Sequence, residues 1–201
     1  FDSVNESLAS LNQPAAIAEI GSLVNLLVER VHHKQNKMPR MGNHPIRLHA
    51  RYAREQILVG FGATTFDKHP TYREGVFSIK EQNIELLFVT LKKNEKQFSP
   101  STMYHDYAIN ENLFHWQSQN SARPDKGKGL EYVNHQERGK RIFLFVREQA
   151  KDEFSRTMAF VNFGEVEYLS HTGSQPMNIT WKLLDTMPAF MWKQAAKLAL
   201  A

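Results

Sequence analysis

A chain of 201 residues is long enough for one domain with a sizeable core, or for one domain plus a helical annex. With 41% hydrophobic and 23% charged residues it lies near the globular average, which argues against a disordered or fibrous protein, and no apolar run approaches the ~18 residues of a membrane span. Twenty-five Lys and Arg against 21 Asp and Glu leave a formal +4, so nucleic acid is the first partner to consider and no membrane partner is expected; the lack of cysteine excludes disulfides, thiolate metal sites and a cysteine nucleophile, and fits a reducing compartment, with the cytoplasm as the expected location.

In chain order, the first ~38 residues read as helical, because Leu11, Ile17, Ile20, Val24, Leu27, Val28 and Val31 recur at three- and four-residue spacing and Pro14 suits an early turn. Residues 35–45, with Pro39, Gly42 and Pro45 among basic side chains, have hinge composition. The expected division is therefore 1–40, a helical linker or the end of a preceding helical region, and 41–201, the main domain. A chain that begins at Phe1 is expected to act as part of something larger. Tyr52, Ile57 and Leu58 predict a helix over 51–60 that Gly60-Phe61-Gly62 ends.

Beyond this point the period shortens towards two. Val76–Ile79, Leu86–Leu91 and Ile142–Val146 predict core strands, the last two almost continuously apolar. Apolar parity flips across Gly164, as a bulge in a long strand would make it, and the turn Thr172–Pro176 leads into alternating Ile179, Trp181 and Leu183 to complete a hairpin. About six strands result. The expected class is α+β: a strongly curved, mostly antiparallel sheet or partly closed β-barrel, flanked by one helix before it and another over 188–199.

Residues 98–120 break the core pattern. They mix ring faces (Tyr104, Tyr107, Phe114, Trp116), groups that both donate and accept (His105, His115, Gln117, Ser118, Gln119) and one carboxylate, Asp106. A flipped base needs faces to stack on and side chains at its Watson–Crick edge, and a carboxylate suits the exocyclic amine of cytosine. The candidate pocket is Tyr104, His105, Asp106, Tyr107, His115, Trp116 and Gln117. Trp116 or Tyr104 would stack on the base, and Asp106, helped by His105 or Gln117, would contact its edge. The competing expectation is structural, since buried Tyr and Trp routinely take a polar partner and a His-Asp pair can cap a turn. Arg123–Gly129 reads as a loop with mobile basic side chains, followed by Arg138, Lys140 and Arg141 around a glycine, and residues 121–141 hold six basic against three acidic residues. Together with the pair before the 98–120 segment this makes Lys92, Lys93, Arg123, Lys126, Lys128, Arg138 and Lys140 the candidate phosphate contacts.

Catalytic motifs are absent from the sequence. No Asp or Glu is followed two residues later by Lys, as the common metal-dependent nuclease core requires, and His32-His33-Lys34 lacks the aspartate five residues on, where Pro39 stands. Gly60-Phe61-Gly62 lacks a third glycine and there is no Walker A sequence. His44 and His49 have no cysteine or acidic neighbour in sequence to complete a metal site, and Glu165 and Glu167 alternate with apolar residues as a solvated strand face does. No catalytic residue, metal or cofactor is expected in this chain.

The words Leu48-His49-Ala50-Arg51-Tyr52, Phe88-Val89-Thr90-Leu91-Lys92-Lys93, Phe98 to Ile109, Leu113 to Gln119 and Ile179-Thr180-Trp181 resemble a domain of unknown function at the C-terminus of bacterial proteins, where it follows phospholipase-D-like nuclease and superfamily-2 helicase domains. The resemblance spans about 47 to 190. Some of these fusions are similar to SauUSI-type, modification-dependent (type IV) restriction enzymes, which use ATP and cut DNA carrying modified cytosine. The resemblance therefore implies an SRA-like, PUA-like recognition domain that reads 5-methylcytosine or 5-hydroxymethylcytosine in double-stranded DNA, with modified duplexes as its expected partner together with the nuclease and helicase domains of the parent chain. Two alternatives stay open: a modification-independent DNA-binding domain, and a non-catalytic coupling or oligomerisation domain. A metal-assisted nuclease built on His105, Asp106 and His115 is the enzymatic alternative.

Overall fold

The computed structural model describes residues 3–30, 36–65, 67, 70, 75–92 and 106–192. The chain divides into two units between Gln35 and Asn36. In the first, α1 (Val4–Ser10) precedes α2 (Pro14–Arg30). Proline, which has no N–H to lose, opens α2, and Ile17, Ile20, Leu23, Val24, Leu26 and Leu27 are exposed along it.

The second unit begins with a two-stranded antiparallel pair, β1 (Asn36–Lys37) and β2 (Arg47–Leu48), followed by β3 (Arg51–Tyr52) and α3 (Arg54–Gly60). Then come β4 (Val76–Ile79), β5 (Ile84–Lys92), β6 (Tyr107–Asn110), β7 (Leu113–Gln117), α4 (Gly127–Val133), β8 (Arg141–Gln149), β9 (Phe160–Thr172) and β10 (Asn178–Leu183). Among the described residues these strands make one eight-stranded sheet in the order β4-β5-β8-β9-β10-β7-β6, with β3 added to β9. The fold is α+β, its pairing antiparallel except between β5 and β8, and its ends do not meet, so the sheet is open.

The central strands are apolar on both faces because both faces are covered. Leu87, Val89, Leu91, Ile142, Leu144 and Val146 enter a core with Phe114, Trp116, Tyr132 and Trp181, whereas Leu86, Phe88, Phe143 and Phe145 enter a second with Ile57, Leu58, Phe61 and Phe160. Alternation along a strand then gives a nearly unbroken apolar run. Each large side chain so buried contributes about 1.5–3 kcal/mol.

The bulge in β9 is where the parity flip put it. Leu144 lies opposite Gly164 and Phe145 opposite Asn162, leaving Phe163 as the extra residue. Gly164 has φ +84°, which strains any side chain there, and a Cβ would also push on Leu48 Cδ1 at 2.8 Å. A second irregularity, between Thr180 and Trp181 of β10, skips Leu169 and was not legible in the sequence.

Three expectations need correction. The helix expected over 51–60 starts only at Arg54, because Arg51 and Tyr52 pair with Val161 and Phe160 of β9. The loop expected over Arg123–Gly129 ends earlier, because Gly127 already opens α4, whose Tyr132 is fully buried. Glu165 is not on a solvated face, since the bulge turns it towards Arg141 and Arg40 and its side chain is 13% exposed. Of the expected C-terminal helix, residues beyond 192 lie outside the described residues.

Candidate nucleic-acid interface

The edge hairpin β6–β7 organises the described part of the aromatic-polar segment. Ala108, Phe114 and Trp116 point into the core, so Tyr107, Leu113, His115 and Gln117 occupy the opposite face. Tyr107 and His115 are direct cross-strand partners, and their rings stack at 4.6 Å with an interplanar angle of 10°. The row continues in register through Thr180 of β10 to Ser170 of β9, and a second row runs Gln117, Asn178, Thr172. All seven are half-buried or exposed. Asp106 is buried at the start of the hairpin, where its Oδ1 accepts a hydrogen bond from the Gln117 N–H at 2.9 Å.

Trp116 does not offer a face to a ligand. It is 5% exposed, meets Tyr132 edge-on at 5.4 Å and leans on Trp181 at 6.1 Å. Two polar neighbours are likewise committed internally: the Ser118 hydroxyl accepts the Met177 N–H, and Gln119 accepts the Tyr132 hydroxyl. The structure thus brings Asp106, Tyr107, His115 and Gln117 together and assigns Trp116 to the core. Tyr104, His105 and Lys93 lie outside the described residues.

The candidate phosphate contacts are mostly paired. Lys128 Nζ donates to Ser78 Oγ at 2.8 Å and to the carboxylates of Glu85 and Glu131, at 3.1 and 3.2 Å; Lys140 reaches the same two, at 3.5 and 2.7 Å. Glu85 is fully buried and Lys128 and Lys140 are its ion-pair partners, so these two lysines, expected as phosphate contacts, are engaged within the fold. Burial raises the Glu131 carboxyl pKa, but hydrogen bonds from Lys140 and Lys128 outweigh it and hold the group below the ordinary glutamate value. Burial works against the Lys128 ammonium, yet Glu85 and Glu131 leave its pKa raised. Lys128, Glu131 and Lys140 line a surface cavity of about 350 Å³ with Lys80 and Asn83. Arg123 forms a two-pronged pair with Asp125, and Lys92 pairs with Glu148. Arg138 is exposed, its carbonyl accepting from Asn83.

Beside Trp181, His135 is almost fully buried and held in one tautomer: Nδ1–H donates to the Lys140 carbonyl, and Nε2 accepts the Tyr168 N–H, both at 2.9 Å. A second proton has no acceptor there, and burial pushes its pKa below that of an ordinary histidine.

Sequence reading missed three arginines. The Arg147 guanidinium lies 4.4 Å and that of Arg54 5.6 Å from the Phe160 ring centre, and Arg54 also covers Phe88 at 4.6 Å. Arg51 shares a small cavity with Arg147 and lies over Phe190. Arg147 is fixed by bonds to Thr90 Oγ1 and the Met158 carbonyl, and burial first, then the charge of Arg54, lowers its pKa. Arg147 lies far along the chain from Arg51 and Arg54, and the β3–β9–β8 pairing brings it to them. Among the described residues no three His, Asp or Glu side chains gather as a metal site would require.

A family model described as a domain of unknown function (DUF3427) matches residues 46–195. No curated protein matches the chain. Among solved structures, the crystal structure of a SUVH5 SRA–methylated CHH DNA complex aligns with a TM-score of 0.43 at 12% identity, covering 78% of this chain and 97% of that one.

Proposed function

The chain belongs to the DUF3427 family, and on that premise we propose that it is a non-catalytic DNA-recognition module that distinguishes duplexes bearing 5-methylcytosine or 5-hydroxymethylcytosine from plain ones. In this reading it serves a parent protein whose nuclease and ATPase reside in other domains. The observation that carries it is the Tyr107–His115 stack, a flat surface on a half-exposed sheet face, flanked by Gln117, Asn178 and Thr180. A base laid on such a surface gains about 1–3 kcal/mol from stacking, while the neighbouring amides and hydroxyl reach hydrogen-bonding edges. Asp106, buried and engaged by the Gln117 N–H, positions the hairpin. A 5-methyl group adds about 1 kcal/mol of apolar contact, so the expected preference is about fivefold.

The test is binding of the 201-residue chain to matched duplexes carrying cytosine, 5-methylcytosine or 5-hydroxymethylcytosine at one site, at two salt concentrations. A preference that survives high salt supports the reading, and Tyr107→Ala or His115→Ala should bring the ratio to one. Equal, strongly salt-dependent binding to all three overturns the modified-base reading in favour of a modification-independent DNA binder; no binding at all leaves a coupling domain.

A further inference from the structure

We propose that α2 is a dimerisation helix: its apolar stripe pairs with the same stripe of a second copy of this chain, in a parallel two-stranded coiled coil. This pairing does not depend on what the second unit binds. Ile17, Ile20, Leu23, Val24, Leu26 and Leu27 are between 42% and 62% exposed on one 17-residue helix. A lone helix of that length is marginal in water, the more so with Gly21 in its interior, because helices owe most of their stability to the packing of an apolar face. The stripe on α2 therefore needs a surface to pack against.

Its spacing selects another helix. Ile17, Ile20, Val24 and Leu27 follow one another at intervals of three, four and three residues, and the sequence carries the pattern on to Val31. That is the a/d repeat of a coiled-coil seam, whose knobs fit the holes of a helix with the same repeat. Ile17 and Val24 place β-branched side chains at a and Leu27 places leucine at d, the combination that favours two parallel strands; Ile20, at d, departs from it. Leu23, at g, widens the seam, whereas Leu26, at c, lies off it.

A second copy supplies the matching repeat in register, by symmetry. On two helices, five aliphatic side chains exposed by about half bury about 1,000 Å² when they pair, the size at which specific interfaces begin. A lipid surface fits less well. A helix that lies on one carries a polar face rich in Lys and Arg, and α2 has one basic residue, Arg30, against Glu19 and Glu29.

The experiment is sedimentation equilibrium of the 201-residue chain across a concentration series, which should reach the mass of two copies. Ile20→Lys/Leu27→Lys should weaken self-association by at least about a hundredfold, since pairing would bury four ammonium groups in one seam. Leu26→Lys should leave it within about threefold of the unmodified chain, because the position is off the seam. Thermal unfolding establishes that the second unit stays folded in each variant. The chain has no cysteine, so Val24→Cys reports the register: its two thiols lie opposite each other in a parallel pair and should be linked by air oxidation, while Ser22→Cys, outside the seam, should not. A chain that stays monomeric, a dimer that survives Ile20→Lys/Leu27→Lys or is lost as fully in Leu26→Lys, an assembly of three or more copies, or equal linking of the two cysteine variants overturns the proposal.

Discussion

The two ends of the parallel β5–β8 pair handle positive charge in opposite ways. Where the strands begin, Lys128, Lys140, Arg141 and Arg40 meet Glu85, Glu131 and Glu165, and each cation has a carboxylate partner. Where they end, near Thr90 and Lys92, Arg51, Arg54 and Arg147 gather on aromatic rings with Glu148 taken by Lys92. The first arrangement satisfies charges the fold has buried, so it holds structure together. The second sets its cations against aromatic rings, where the attraction is to a ring face. Counting lysines along the chain cannot separate the two, because the sign of a side chain says nothing about what stands opposite it.

The sharpest way to break the paired end is from beneath. Trp116 packs on Tyr132 of α4, the helix that also carries Lys128 and Glu131. Trp116→Ala is expected to cost about 4 kcal/mol in urea unfolding, as large aromatic truncations do. It should reduce DNA binding only in proportion to unfolded protein, with the preference of the folded fraction unchanged. Glu85→Gln comes next. Removing one member of a buried ion network typically costs 3–5 kcal/mol, and partial exposure of Lys128 puts the expected loss at about 3 kcal/mol, read as a lower unfolding midpoint.

Acid should also act on this end. His135 binds a proton less readily when folded than the ordinary value of 6.5, so below that pH the unfolded chain takes up protons that the native state refuses. Stability is therefore complete above about pH 6.5 and falls as the pH drops towards the lowered native value; His44 and His49, also lowered by burial, contribute with the same sign. Melting temperatures across pH 5 to 8 should show this fall, and His135→Gln should make it shallower. The smallest effect belongs to the other end: Arg51→Gln, at an exposed position, should change unfolding free energy by no more than about 0.5 kcal/mol. A large loss there would mean that the arginines are structural and the contrast false.

Much of the fold was legible because it follows from local pattern. Continuous apolar runs marked the doubly covered strands β5 and β8, and the parity flip marked the bulge at Phe163–Gly164, where backbone conformation and the approach of Leu48 both demand glycine. The aromatic-polar segment was recognised as unusual, but its alternation was not resolved into faces. His115 and Gln117 were therefore grouped with Trp116, although neighbouring positions in β7 point to opposite sides. The opening of α4 was read as loop because Gly127 and Gly129 flank Lys128 there and the apolar contact comes only in the following turn, Leu130 to Val133.

By itself the sequence determined the class of the fold, the strands β4, β5, β8, β9 and β10 and the bend at Gly164, since these depend on residues within a few positions of one another. The tertiary structure alone decided which charges meet carboxylates and which lie on aromatic rings. Glu85 and Lys140 are 55 residues apart, Arg51 and Arg147 nearly a hundred, and electrostatic energy depends on distances in space that only strand pairing sets.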